Sequence, residues 1–174
     1  MGSTDPVTSP GAARRAAVLL VWSPLWVGAV LAASTPAAAD PVLPQPNSGC
    51  TQHQEGAVTP WGDGAVLVCT NLGVSGYRWM PPGPSLVRPF TRYVTIQQSS
   101  GLVGTDIAAG QWVGEPQDPV TVCTETQEAA ARNGRMGIVE SLTGSPGQQL
   151  AFRVEPTNWM VNWTGDCLWT NLGP

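Results

Sequence analysis

Residues 135–173 read RMGIVESLTGSPGQQLAFRVEPTNWMVNWTGDCLWTNLG. Four runs of strand length stand out in them, 135–142, 148–155, 158–164 and 167–171. They are separated by Gly144-Ser145-Pro146-Gly147, Pro156-Thr157 and Gly165-Asp166, residue types that favour turns. The alternation is cleanest in the second run, where Leu150, Phe152 and Val154 fall on one face and Arg153 and Glu155 on the other. Trp159, Val161 and Trp163 share a face of the third run and are expected to pack inward. Connections this short predict an antiparallel meander.

The chain before this stretch reads as more strands and turns. Residues 65–69, AVLVC, form a continuous apolar run between Gly64 and Asn71, as in a strand buried on both faces. Residues 91–98 alternate, with Val94 and Ile96 on one face and Tyr93, Thr95 and Gln97 on the other. Val120 and Val122 alternate with Thr121 and Cys123. Residues 99–118 are dense in glycine and read as a loop carrying Trp112, and 80–89 hold four prolines that cannot supply a regular ladder of donors. One helix is predicted, over 125–132, capped by Thr124 and stopped by Asn133-Gly134. Six or seven strands and one short helix give a mainly β protein, a small antiparallel β-sandwich or partly open barrel.

Residues 1–15 are polar and end in Arg14-Arg15, an apolar run covers 16–33, and Ala37-Ala38-Ala39 offers small residues at a cleavage point. This is the pattern of a signal peptide over 1–39. Ser23-Pro24 and Gly28 interrupt the apolar run, so we expect export without stable membrane insertion. The remainder divides into a proline-rich extended tail, 40–49, and a single β domain, 50–174. It carries six arginines, eleven carboxylates and no lysine, a formal charge of −5. That disfavours nucleic acid and anionic lipid as partners. Absence of lysine beside abundant Ala, Gly, Pro and Arg suggests a GC-rich bacterial genome, and we expect a secreted or envelope protein.

In an exported chain the four cysteines, Cys50, Cys69, Cys123 and Cys167, read as two disulfides. Three pairings are possible. Thr70-Asn71-Leu72-Gly73 after Cys69 recurs as Thr170-Asn171-Leu172-Gly173 after Cys167, which favours Cys50–Cys69 with Cys123–Cys167. The order Cys69, Trp79, Cys123 resembles the cysteine-tryptophan-cysteine pattern of immunoglobulin-type domains, but Thr121 stands where their corner tyrosine belongs. No family is assigned on it, and an immunoglobulin-like sandwich stays one architecture among several.

Residues able to do chemistry are few. His53 is the single histidine, and no cysteine pair has the spacing of a zinc knuckle, so no metal site or cofactor is expected. A hydrolase would need two carboxylates across a cleft, from among Asp106, Glu115, Glu125, Glu128 and Glu140. Tryptophan is the unusual residue, with six after position 39. Trp61, Trp79 and Trp112 lie beside glycine and proline and are the candidates for stacking on a ligand. The sequence therefore points to a non-catalytic binding protein for a glycan or an extracellular protein. The alternatives are a protease-inhibitor-like protein presenting 80–89, or a small hydrolase.

Overall fold

The structure, a computed structural model, describes residues 42–174 except 63, 132 and 133. The signal peptide read over 1–39 lies outside the described residues, as do Arg132 and Asn133 at the end of the predicted helix. Eleven strands form among the described residues: β1 (Val58–Trp61), β2 (Ala65–Asn71), β3 (Tyr77–Met80), β4 (Arg92–Thr95), β5 (Gln98–Leu102), β6 (Gly110–Pro116), β7 (Thr124–Ala130), β8 (Met136–Thr143), β9 (Leu150–Val154), β10 (Met160–Thr164) and β11 (Cys167–Gly173). Seven make one sheet in the order β3-β2-β1-β4-β11-β6-β9, and four make a second in the order β5-β10-β7-β8.

The mainly β reading holds, with two sheets and no closed barrel, but the helix does not. Residues 124–130 are strand β7, paired with β10 on one side and β8 on the other. Glu125 and Gln127 are buried while Thr124, Thr126 and Glu128 are half-buried, a period of two. An isolated two-turn helix is marginal in water whatever its alanine content, and two ladders of backbone bonds outweigh that propensity. Short 3-10 turns at Gln52–Gln54 and Gly73–Ser75 are the only helical pieces among the described residues.

All four C-terminal strands exist, yet they do not form a meander. β8 and β10 belong to the four-stranded sheet and β9 and β11 to the other, so each short connection crosses the sandwich. A turn of a few residues can span the roughly 10 Å between packed sheets as readily as it turns a hairpin. The inward residues Leu150, Phe152 and Val154 and the outward Arg153 and Glu155 are as read, the last two paired at 2.9 Å. The glycine-dense region supplies two strands, β5 and β6, where a loop was expected. Residues 120–123 form no strand, and Val120 is exposed.

The crossings converge on aromatic packing between the sheets. Trp163 of β10 lies 5.0 Å from Tyr93, 5.4 Å from Trp112 and 5.5 Å from Trp169, nearly parallel to the last. Phe152 meets Trp169 edge-on at 5.8 Å. These separations suit the ring quadrupole as well as burial. Trp169 donates its indole N–H to Thr95 Oγ1 at 2.9 Å, and Trp112 donates to the Ala108 carbonyl at 2.9 Å.

A second core covers the outer face of the larger sheet, built from Ala57, Leu67, Cys69, Trp79, Val94 and Leu168. Val66 and Val68 face the inter-sheet core while Leu67 and Cys69 face this one, so β2 is covered on both faces as its apolar run predicts. The proline-rich segment is extended but not free. Asn47 donates to the Trp79 carbonyl at 2.6 Å and Trp79 donates to the Ser48 carbonyl at 2.9 Å, so ordered structure begins before Cys50.

The disulfides are Cys50–Cys69 and Cys123–Cys167. The Cys69–Cys123 bridge of an immunoglobulin pattern is not formed. The sequence repeat that favoured this pairing is a repeated turn. Asn71 Oδ1 accepts the Gly73 N–H at 2.8 Å and Asn171 Oδ1 accepts the Gly173 N–H at 2.7 Å, ending β2 and β11 in the same way. Gly73 and Gly173 both take positive φ, 65° and 103°, which a side chain would resist.

Candidate functional site

The larger sheet contains one parallel junction, between β1 and β4, and it consists of the single pair Val58 and Tyr93. Beyond that pair β1 stays with β2 as far as Trp61, while β4 follows β11 to Thr95. The unpaired ends of β1 and β4 border a wedge.

Two depressions occupy it. One, of about 330 Å³, has Pro60, Tyr93, Gln98, Ser100, Arg88 and Asp106 among its walls. The other, of about 230 Å³, lies beside Trp61, with Thr59, Ile96 and Leu43. Pro60, Gly62 and Gln98 line both, so the depressions meet at the tip of β1. Thr59 and Trp61 alternate with Val58 and Pro60 along β1, which puts the indole on the opposite sheet face from Tyr93.

The polar groups of the wedge are held in place. Arg88 Nη1 donates to Asp106 Oδ1 at 2.6 Å, and the guanidinium stands 4.9 Å over the Phe90 ring. The second Asp106 oxygen accepts the Leu102 N–H at 3.1 Å. Other guanidinium N–H groups of Arg88 have no partner among the described residues, so donors remain for a ligand. The Tyr93 hydroxyl and Ser99 Oγ bond at 2.8 Å, and burial pushes the Tyr93 phenol above its ordinary pKa, keeping it neutral. Gln97, between β4 and β5, has φ of 80°, a left-handed conformation that costs a non-glycine residue about 1 kcal/mol and turns the chain so that Gln98 closes the wedge.

Of the three tryptophans proposed to stack on a ligand, only Trp61 is open, at 37% exposure. Trp79 and Trp112 are withdrawn from the candidates. Trp79, 3% exposed, packs in the second core while its backbone pairs with Asn47 and Ser48, and Trp112, 0% exposed, is enclosed against Trp163. Their glycine and proline neighbours suggested loops, whereas both sit in strands. Trp159 departs in the other direction. It was read with Val161 and Trp163 as an inward stripe, but it precedes the first residue of β10 and is 54% exposed.

No two of the five carboxylates face each other across an open cleft among the described residues. Asp106 belongs to the wedge, Glu115 meets His53 at 2.8 Å on the surface, and Glu128 accepts from Asn162 at 3.0 Å. Glu140 accepts from Gln127 at 2.7 Å. Glu125 is fully buried in the core, its pKa raised to about 7 by burial and then by Glu140. Glu125 and Glu140 are thus neighbours, but Glu125 is not open to a ligand. The loop 80–89 anchors Leu86 against the core and spends Arg88 on Asp106. Among the described residues no three His, Cys, Asp or Glu side chains gather as a metal site, and no helix is long and apolar enough to cross a membrane.

Sequence reasoning found Trp61, named Asp106 only as one of five candidate carboxylates for a hydrolase, and missed Arg88 and Gln98. The Arg88–Asp106 pair joins residues eighteen positions apart, and no local pattern announces it. Comparison with protein-family models, curated proteins and solved structures returns no match.

Proposed function

We propose that this is an exported, non-catalytic binding protein whose wedge takes an uncharged glycan. The signal-peptide pattern and two disulfides support export. The observation that carries the binding reading is the partly exposed indole of Trp61 in one depression, which meets at the tip of β1 a second depression walled by Arg88, Asp106, Gln98 and Ser100. A sugar ring has an apolar face that stacks on an indole, and the hydroxyls of a neighbouring sugar in the same chain suit the amide, hydroxyl and ion pair across the tip of β1. An inhibitor or hydrolase reading gains no such observation.

Affinity electrophoresis of the purified protein through gels cast with neutral polysaccharides, among them xylan, mannan, β-glucan and glycol chitin, tests the reading. We expect retardation by at least one of them. Trp61→Ala should weaken that retardation at least tenfold, about 1.4 kcal/mol or more. Trp61 is 37% exposed, so its truncation also costs some packing, and retardation is compared on the variant only where circular dichroism shows the wild-type strand signature. Retardation by a peptide or anionic polymer alone, or none at all, would count against it.

A further inference from the structure

The four-stranded sheet holds a feature that binding does not use. Glu125 lies on β7, one strand in from the edge, and faces the core between Trp163 of β10 and Leu142 of β8. It is 0% exposed and neither carboxylate oxygen has a hydrogen-bond partner. The Trp163 indole N–H beside it is also without one. An ionised carboxylate in such a place is strongly disfavoured, so the closed sandwich holds the protonated form.

We propose that Glu125 is a pH trigger: ionisation of its carboxyl releases the edge strand β8 from the sandwich.

Among the described residues, the one charge that acts on Glu125 is a like charge. β8 presents Glu140, a like charge, and β10 presents Trp163. The opposite sheet presents Leu150, Phe152, Trp112, Trp169 and Tyr93, and the one titratable group of these, Tyr93, has its hydroxyl engaged by Ser99. Arg153 of β9 turns its guanidinium outward to Glu155 and offers Gln127 only its carbonyl, at 2.9 Å. Burial first, and then the like charge of Glu140, lift the Glu125 pKa to about 7.

The easiest route to water passes through β8. It is the outermost strand, paired with β7 alone among the described residues, and a bulge at Gln127 and Glu128 already interrupts that ladder. Gln127 is the clamp, since its amide N–H groups bind both Glu140 on β8 and the Arg153 carbonyl in the other sheet, and its oxygen accepts from Asn158. Met136, Ile138 and Val139 of β8 are exposed already, and its partly buried Leu142 is the apolar contact that release gives up. Releasing β10 instead would expose Trp163. Cys123 of the second disulfide, just before β7, ties that strand's start to β11.

The sign follows from the raised pKa. Closed-state stability is complete below about pH 4.5 and is lost as pH rises through about 7, by roughly tenfold per pH unit and roughly 300-fold in all. Hydrogen exchange of the purified protein at pH 5 and pH 8, with protection factors corrected for intrinsic rates, reads this directly. Protection of β8 amides should fall by roughly 70-fold between the two pH values while β6, β9 and β11 keep theirs. Glu125→Gln should abolish the dependence, and Glu125→Met does the same test where a buried amide proves hard to house. PH-independent protection in β8, the same loss in both variants, or equal loss in all strands would overturn the proposal.

Discussion

Gly114→Ala is expected to lower the melting temperature by roughly 10 °C or to prevent folding. A Cβ built at Gly114 would lie within 2.8 Å of three atoms of the Trp169 ring. That indole cannot step aside. It stacks on Trp163, meets Phe152 edge-on, and is anchored through its N–H to Thr95. Overpacking of a tight core costs about 1–3 kcal/mol and occasionally more, and a rigid ring held on three sides belongs at the upper end. At roughly 3–4 °C per kcal/mol for a domain of this size, that gives the stated shift. Trp169→Phe, which removes the colliding ring atoms, should recover part of the loss in the Gly114→Ala background. An unchanged melting temperature in the single variant would mean that the inter-sheet core is not packed as described.

The second large effect is expected from the Cys123–Cys167 bridge. It closes 44 residues and joins the segment entering β7 in one sheet to the first residue of β11 in the other. Chain-entropy arguments assign a loop of that length about 4 kcal/mol, against about 3.3 kcal/mol for the 19-residue separation of Cys50–Cys69. For a domain whose whole stability is about 5–15 kcal/mol, loss of the Cys123–Cys167 bridge takes a large share. Cys123→Ser with Cys167→Ser should therefore destabilise more than Cys50→Ser with Cys69→Ser, measured by denaturant unfolding. The gap should exceed the entropic difference, because Cys123 and Cys167 are both fully buried in the inter-sheet core and serine would leave hydroxyls there. The opposite order would contradict the assignment of this bridge as the staple between the sheets.

What the sequence revealed was local and periodic. β9 was legible because one buried face imposes a period of two, and β2 because two covered faces impose a continuous apolar run. The disulfide pairing was legible through a four-residue turn that ends two strands in the same way, with an asparagine oxygen holding a glycine N–H. Partners in space were not legible. The short connections after β8, β9 and β10 are consistent with hairpins or with crossings, and only the convergence of Trp163, Trp169 and Trp112 selects crossings. Glycines that read as loop markers at 110 and 114 are small because an indole or a backbone lies against them. The residues 124–130 carry a helix signal and a strand fate, because β7 sits between two partners that a local reading cannot see.

The same division applies to the site. Trp61 was recognisable as a residue type at a turn, but exposure separates it from Trp79 and Trp112, and exposure is decided by strands remote in sequence. Leu67, Val94 and Leu168 of three different strands enclose Trp79, while Trp163 of β10 packs on Trp112. The wedge itself comes from a parallel junction of one residue pair, which leaves no periodic trace.

The central claim is that Trp61 is the indole that meets a ligand, and the side-chain N–H spectrum of the purified protein tests it most directly. A titration with oligosaccharides of whichever neutral polysaccharide retards the protein should move the Trp61 indole signal, identified by its loss in Trp61→Ala, and leave those of Trp79, Trp112, Trp163 and Trp169 in place. Movement confined to Trp159, or a Trp61 signal unmoved at saturating ligand, would contradict the account.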